Sequence, residues 1–137
     1  YYWLTKDSEA MDEAWERWKD SHRDIYHLQR WAFGVTITRQ TEIFRIELLP
    51  GSGPGVLGRW VSFEPLLGSI ELDPLRLSLI KFAVIGSLTG AKPPKDTKKW
   101  AEKLIEQLIR AGVPVWVKGE LHKDFPCKMR PRWEMVT

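Results

Sequence analysis

The sequence contains a single cysteine, Cys127, and this scarcity excludes several classes of protein. One cysteine cannot form an internal disulfide, and alone it cannot hold a zinc ion or an iron–sulfur cluster. We therefore predict no metal ligands in the chain. We also expect a cytoplasmic protein, because thiols stay reduced inside the cell.

Long apolar runs and a strong excess of one charge are also lacking. No stretch approaches the roughly 18 apolar residues of a membrane-spanning helix, so no membrane partner is expected. The chain has no basic start followed by an apolar stretch, as a secretory signal would. With 21 Lys and Arg against 18 Asp and Glu, the net charge is +3. This mild excess permits a nucleic-acid partner without requiring one.

What the sequence does contain is an alternation of apolar runs and amphipathic stretches. The runs are nearly continuous, which is typical of parallel strands buried on both faces. They cover residues 1–5, 31–37, 59–64, 81–86 and 113–118. A first helix is predicted after Asp7 or Ser8, either of which can cap its start, and a second helix is predicted over residues 41–49. Residues 71–80 are ambiguous and could form a short helix.

The clearest helix begins at Asp96 or Thr97 and ends before Gly112. Its predicted buried stripe is Trp100, Leu104, Ile105, Leu108 and Ile109. The alternation predicts an α/β fold whose parallel βα units form part of a TIM-like (βα) barrel over residues 1–119. Residues 120–137 are predicted to be an irregular basic tail.

In parallel α/β folds, ligands bind at the carboxyl ends of the strands. Glu64 follows a predicted strand and precedes Pro65, so its carboxylate could act as a base or accept from a ligand. Lys6 and Lys118 follow two other strands and could hold a phosphate or a carboxylate. The alternative is that Glu64 caps a helix or forms a salt bridge with Lys6 or Lys118.

Residues 86–90 follow the fourth strand and contain two glycines, Gly86 and Gly90. Their backbone N–H groups could approach an anion, or the glycines could only supply turn geometry. His22, His27 and His122 match no metal motif and are interpreted as surface residues. The eight tryptophans are interpreted as core packing, with Trp133 in the basic tail as a candidate for base stacking.

Residues 59–68, RWVSFEPLLG, resemble the pattern of the phage gp thirty-seven / gp sixty-eight protein family, which is related to radical-SAM barrels. Other stretches similar to that family follow in the same order, namely Leu4-Thr5-Lys6, residues 33–37 with Gln40, Arg45-Ile46, residues 84–90 and residues 111–118. The sequence departs from the family where Ser87-Leu88-Thr89 replaces a segment containing glutamate. It departs again at Thr38-Arg39, where the family has Glu-Asn.

The resemblance implies S-adenosylmethionine and a [4Fe–4S] cluster for a complete protein. The family's cluster cysteines precede its Leu-Thr-Lys strand, so this chain alone would hold no cluster. Glu64, Lys118 and Lys6 would be the catalytic residues. The cofactor would contact a set of polar and glycine positions at the strand ends, Thr36, Ser62, Glu64, Gly86, Ser87 and Gly90.

Two other functions remain open at this stage. The basic residues of segment 92–99 and of the tail could make the chain a nucleic-acid-binding module without catalysis. Alternatively, it could belong to a barrel enzyme that binds a phosphorylated small molecule at residues 86–90. A partial barrel also exposes strand edges, so we expect self-association or an upstream barrel segment that completes the sheet.

Overall fold

Five parallel strands form the centre of the molecule. The computed structural model describes residues 2–24, 30–51, 53 and 55–125. The strands are β1 (Tyr2–Thr5), β2 (Trp31–Thr36), β3 (Val56–Phe63), β4 (Ile80–Ile85) and β5 (Val115–Val117). Each strand pairs in parallel with the next, in the order β1-β2-β3-β4-β5. The predicted α/β fold of parallel βα units is confirmed.

Helices connect the strands and follow the last one. They are α1 (Ser8–Ser21), a 3-10 helix (Gln40–Ile46), α2 (Pro74–Leu79), α3 (Thr97–Arg110) and α4 (Leu121–Asp124). The prediction that the chain is irregular after Gly119 is wrong, because residues 121–124 form α4. This helix buries Leu121, and its Asp124 forms a 2.6 Å ion pair with Lys98 of α3. Cys127 and Trp133 lie outside the described residues. None of the helices that the structure describes is long and apolar enough to cross a membrane.

The two faces of the sheet carry different side chains because successive strand residues point to opposite sides. One row aligned across the sheet is Val35, Val61, Ala83 and Val115, and it packs in the main core with residues of α1 and α3. The other face, which we call the inner face, has a smaller aromatic cluster of its own. The inner face includes Tyr2, Leu4, Gly34, Thr36, Trp60, Ser62, Phe82, Val84 and Trp116.

The sheet curves toward the inner face. Tyr2 lies on β1 and Phe82 on β4, three strand spacings away, or about 14 Å in a flat sheet. Their ring centroids are nevertheless only 6.4 Å apart. This curvature is what a segment of a barrel wall requires.

Helix α1 begins where the sequence predicts, because Asp7 provides the N-cap. The Asp7 side chain accepts a hydrogen bond from the Ala10 N–H at 3.0 Å. The helix buries Met11 and Trp15 against the sheet. The Trp15 ring lies 4.9 Å from Phe33, between centroids, and 5.4 Å from Trp31. The interpretation of these two tryptophans as core residues is confirmed, since both are buried.

The segment predicted as a second α-helix is instead the shorter 3-10 helix. Arg59 donates to the oxygens of Leu49 (2.9 Å) and Glu47 (3.2 Å), so a strand side chain satisfies carbonyls just after the 3-10 helix ends. Phe44, in the middle of this segment, is 49% exposed. Ile46 and Leu49 provide the buried side chains of this segment.

Helix α3 confirms most of the predicted stripe. Leu104, Ile105 and Leu108 are buried, whereas Trp100 is half-buried. The prediction for Ile109 is wrong, since 46% of that residue is exposed. The buried stripe of α3 is therefore narrower than the stripe of apolar residues in its sequence.

Candidate functional site

The polar side chains that follow the strands meet at the carboxyl edge of the sheet, and Glu64 and Lys118 are in direct contact there. Lys118 Nζ lies 2.8 Å from Glu64 Oε2, across the end of β4. Both side chains remain partly exposed, 39% for Lys118 and 28% for Glu64. Lys118 Nζ also lies 5.7 Å from the ring centroid of Trp116, within the range of a cation–π contact.

Gly86 makes the position of the Glu64 carboxylate possible. A Cβ atom added at Gly86 would lie only 2.7 Å from Glu64 Oε1. The backbone around the pair is fixed by hydrogen bonds from the Gly86 N–H to the Phe63 oxygen (3.1 Å) and from the Leu66 N–H to the Gly86 oxygen (2.9 Å). The Glu64–Pro65 peptide bond is cis. The Glu64 carboxylate therefore lies directly against the backbone of Gly86, just after β4 ends.

The three predicted hydroxyl residues are nearly buried at the same edge. Thr36 and Ser62 are register partners at the ends of β2 and β3, and Ser87 follows β4. The chain is held there by the Ile37 N–H, which donates to the Ser62 oxygen at 2.9 Å. Neighbouring strand ends thus carry hydroxyls beside the Glu64–Lys118 pair.

Two predicted site residues lie apart from that pair. Lys6 follows β1 and is exposed, and it forms no ion pair with any carboxylate in the described ranges. Gly90 is exposed in the loop after β4, with a φ of 76° that favours glycine. The alternative salt bridge considered for Glu64 is formed with Lys118.

A set of hydrogen bonds to Glu42, which the sequence analysis missed, fixes the end of β2. We call Glu42, Thr38 and Arg45 the Glu42 clamp. Glu42 Oε2 accepts from the Thr38 N–H (2.7 Å) and from the Thr38 hydroxyl (3.0 Å). Arg45 lies 3.1 Å from Glu42 and donates to the Thr36 oxygen at 3.4 Å. Burial raises the pKa of Glu42, but the Thr38 hydrogen bonds and the Arg45 charge together hold it below its ordinary value.

Below the polar edge, the inner face is aromatic. Trp60 and Phe82 stack with ring centroids 5.2 Å apart, and a Cβ at Gly34 would lie 2.2 Å from the Trp60 ring. The Trp60 indole N–H is buried without a hydrogen-bond partner in the part of the chain that the structure describes. Strand alternation could have found these residues, because Trp60 and Glu64 are separated by an even number of positions, as are Trp116 and Lys118.

An open groove of about 550 Å³ lies on the opposite, helix-covered side of the sheet. Its wall combines Arg59 with acidic residues of α1 and the 3-10 helix segment, Glu9, Asp12, Glu13, Glu16 and Glu47. Within the described residues, no group of three or more His, Cys, Asp or Glu side chains could hold a metal ion. His22 stacks on Trp18, with centroids 4.5 Å apart, and His122 is exposed, while His27 lies outside the described residues.

Comparison with known proteins identifies one matching family, and the function of that family is unknown. A family model described as a protein of unknown function, DUF5131, matches residues 1–130 of the chain. No curated protein and no solved structure matches it.

Proposed function

Because the chain belongs to the DUF5131 family, whose function is unknown, we propose its function from the site: it is the ligand-binding part of a (βα) barrel enzyme. The observation that carries this proposal is the ion pair of Glu64 and Lys118 at the carboxyl edge of a parallel sheet. Active sites of parallel α/β folds occupy this edge. The pair offers an acceptor and a donor to a ligand within one site.

The ligand we propose is S-adenosylmethionine, in a protein related to the phage gp thirty-seven / gp sixty-eight family and to radical-SAM barrels. The residues present fit the polar groups of that molecule. The Glu64 carboxylate can accept from an ammonium or from ribose hydroxyls, and Lys118 can bind a carboxylate. Their partial exposure leaves both groups accessible.

The residues do not fit an iron–sulfur cluster, which needs several thiolates. The only cysteine of the chain is Cys127, so we propose that another polypeptide segment supplies the cluster ligands. Such a cluster would supply the electron that radical chemistry of S-adenosylmethionine requires, and Glu64 and Lys118 would hold that ligand. In this proposal the residues of the chain bind and orient: Lys118 and Glu64 hold the polar end of the ligand, and the inner face excludes water below it.

A phosphate at residues 86–90 is less well supported as the ligand. The Glu64 carboxylate lies against Gly86, where it would repel an anion. Inorganic phosphate therefore serves as the comparison ligand for the barrel enzyme without radical chemistry.

Isothermal titration of the chain with S-adenosylmethionine tests the proposal. We expect saturable binding that Glu64→Gln and Lys118→Met each weaken by about tenfold, or about 1.4 kcal/mol. Glu102→Gln and Lys103→Met are matched controls, because both side chains are exposed on α3 and neither has an ion-pair partner in the described residues. These controls should bind as the unchanged chain does.

Two outcomes contradict the proposal. The first is no binding by a chain whose circular dichroism shows a folded protein. The second is binding that Glu64→Gln and Lys118→Met leave unchanged. Tighter binding of inorganic phosphate than of S-adenosylmethionine would favour the phosphorylated ligand instead.

A further inference from the structure

The segment between β4 and the first turn of α3 has the same net charge as the whole chain. Residues 92–99 contain four lysines, Lys92, Lys95, Lys98 and Lys99, against one acid, Asp96. That excess of three equals the net charge of +3 for all 137 residues. The remaining residues are therefore neutral in sum.

These lysines are available to a partner. All four side chains are exposed. Lys98 pairs with Asp124 at 2.6 Å, whereas Lys92, Lys95 and Lys99 have no ion-pair partner within the described part of the chain. Three unpaired ammonium groups within eight residues repel one another, and an approaching polyanion relieves that repulsion.

The start of α3 adds positive potential to the segment. Helices favour acidic residues in the first turn, but α3 has none there and has Lys98 and Lys99 instead. Asp96 makes no side-chain capping bond, and the Thr97 hydroxyl donates to the Pro94 oxygen rather than accepting from the helix. The helix dipole and the lysines therefore act in the same direction on an anion.

Two prolines hold the basic segment in a restricted conformation. Pro93 and Pro94 separate Lys92 from Lys95 and fix φ near −65° at both positions. Because the backbone has less freedom to lose, less conformational entropy is lost when the lysines contact a ligand. The Thr97 N–H also donates to the Pro94 oxygen at 3.1 Å, which joins the prolines to the helix.

We infer that residues 92–99 bind the phosphate backbone of a nucleic acid. The segment follows β4, so it lies at the same edge of the sheet as Glu64 and Lys118. A polynucleotide whose phosphates contact residues 92–99 would present a base and its sugar hydroxyls, rather than a phosphate, to the Glu64–Lys118 pair. The inference names the substrate class of the proposed site, and it rests on the proposed function only for this last step.

Charge on helix α1, which follows β1 rather than β4, orients such a partner. Helix α1 carries five acids, Glu9, Asp12, Glu13, Glu16 and Asp20, against Arg17 and Lys19. It borders the acidic groove, which repels phosphate. A membrane is a poorer fit than a nucleic acid, because residues 92–99 have no large apolar side chain that would enter a bilayer.

Fluorescence anisotropy of short labelled DNA and RNA, single-stranded and duplex, tests the inference on the full chain. With three lysines neutralising three phosphates, the slope of log K against log salt should be about −2 to −3. Raising the salt from about 50 mM to about 200 mM should then weaken binding roughly 15- to 60-fold. No binding at the lower salt overturns the inference, as does equally tight binding of poly-glutamate.

A charge-matched pair of variants locates the contact. Lys92→Gln/Lys95→Gln/Lys99→Gln should lose at least about tenfold in affinity and flatten the salt dependence. The control Lys81→Gln/Lys103→Gln/Arg110→Gln removes the same charge, at the other end of the sheet and along α3, and should change affinity less than about threefold. Equal losses in both triple variants would show a response to net charge alone, and would overturn the inference.

The two proposals fail separately. The segment 92–99 triple variant should still bind S-adenosylmethionine, and Glu64→Gln should still bind the oligonucleotide. If the chain binds S-adenosylmethionine but no oligonucleotide, the present inference fails and the proposed function stands. If it binds the oligonucleotide but no S-adenosylmethionine, the proposed function fails and the present inference stands.

Discussion

At the scale of single residues, the site depends on how closely backbone and side chain approach each other at the strand ends. Gly86 lacks a side chain where the Glu64 carboxylate lies, and that carboxylate is also the partner of Lys118. The contact explains why a glycine occupies a position with no positive φ. Space for the carboxylate, rather than backbone conformation, is its role.

We predict that Gly86→Ala disrupts the pair. The added methyl would lie 2.7 Å from Glu64 Oε1 and displace the carboxylate from Lys118. The free energy of unfolding should fall by about 1–3 kcal/mol, as overpacking does, and any binding at the pair should weaken. Urea unfolding measures the first effect. Gly68→Ala is the control, since nothing lies within 4 Å of a Cβ there, and an equal loss in both variants would refute the explanation.

A second prediction concerns the Glu42 clamp. Its pKa is lowered in the folded protein, so the carboxylate stabilises the fold above the ordinary value near 4.5, and this contribution disappears as the pH falls through the lowered pKa. Glu42→Gln should therefore cost about 1 kcal/mol at neutral pH, as a part-buried charged hydrogen bond does.

The cost of Glu42→Gln should shrink toward zero at an acidic pH below the lowered pKa, where the native carboxyl is protonated too. Urea unfolding of both proteins at the two pH values gives the comparison. A cost that is the same at both pH values would mean that the charge of Glu42 is irrelevant and that only shape matters.

At the scale of secondary structure elements, α3 shows how far a helical stripe can be inferred from spacing. Leu108 and Ile109 both match the apolar pattern, but Leu108 is fully buried and Ile109 is 46% exposed. Adjacent residues of a helix are separated by about 100°, so a single neighbouring sheet covers only one of them. Which residue is covered depends on how the helix is rotated on the sheet.

This pair gives a matched test at neighbouring positions. Leu108→Ala should lower the free energy of unfolding by about 2–5 kcal/mol through lost contacts and a cavity. Ile109→Ala should cost less than about 1 kcal/mol, since much of its side chain already contacts water. Chemical denaturation of both variants measures the difference. Equal costs would show that α3 is rotated differently on the sheet.

At the scale of the whole molecule, charge and apolar surface are both distributed unevenly. The basic segment 92–99 and the acidic helix α1 lie in different parts of the fold, which gives an anionic partner one preferred approach. In the described residues the sheet ends at β1 and β5, and each of these strands pairs on one side only. On β1, Tyr2 is 36% and Leu4 50% exposed.

We therefore predict that the chain associates with itself or with a segment that extends the sheet. Unpaired strand edges and exposed apolar residues on β1 favour such pairing. Sedimentation velocity over a range of concentrations should show mass above that of a 16.0 kDa monomer. Leu4→Lys should reduce the association, because a charge on an edge strand opposes pairing. A chain that stays monomeric at every concentration would contradict the prediction.

The fold class could be inferred from local patterns, and errors arose where distant residues intervene. Asp7 caps α1 as its position in the sequence predicts. The second helix was predicted too long, and nothing in the sequence indicated that Arg59, on the strand that follows, bonds the carbonyls of Glu47 and Leu49. The Glu42 clamp was missed because the hydrogen bond from the Thr38 N–H to Glu42 depends on how the folded chain places the two residues.

The sequence by itself determined the alternation of strands and helices, the parallel pairing, and Glu64 and Lys118 as strand-end residues. These follow from apolar runs, caps and breakers, which act over a few residues. Only the tertiary structure decided that Glu64 pairs with Lys118, 54 residues away, while Lys6 does not. The reason is physical: strand order and sheet curvature set which ends come within hydrogen-bond distance, and both arise from the packing of the whole sheet.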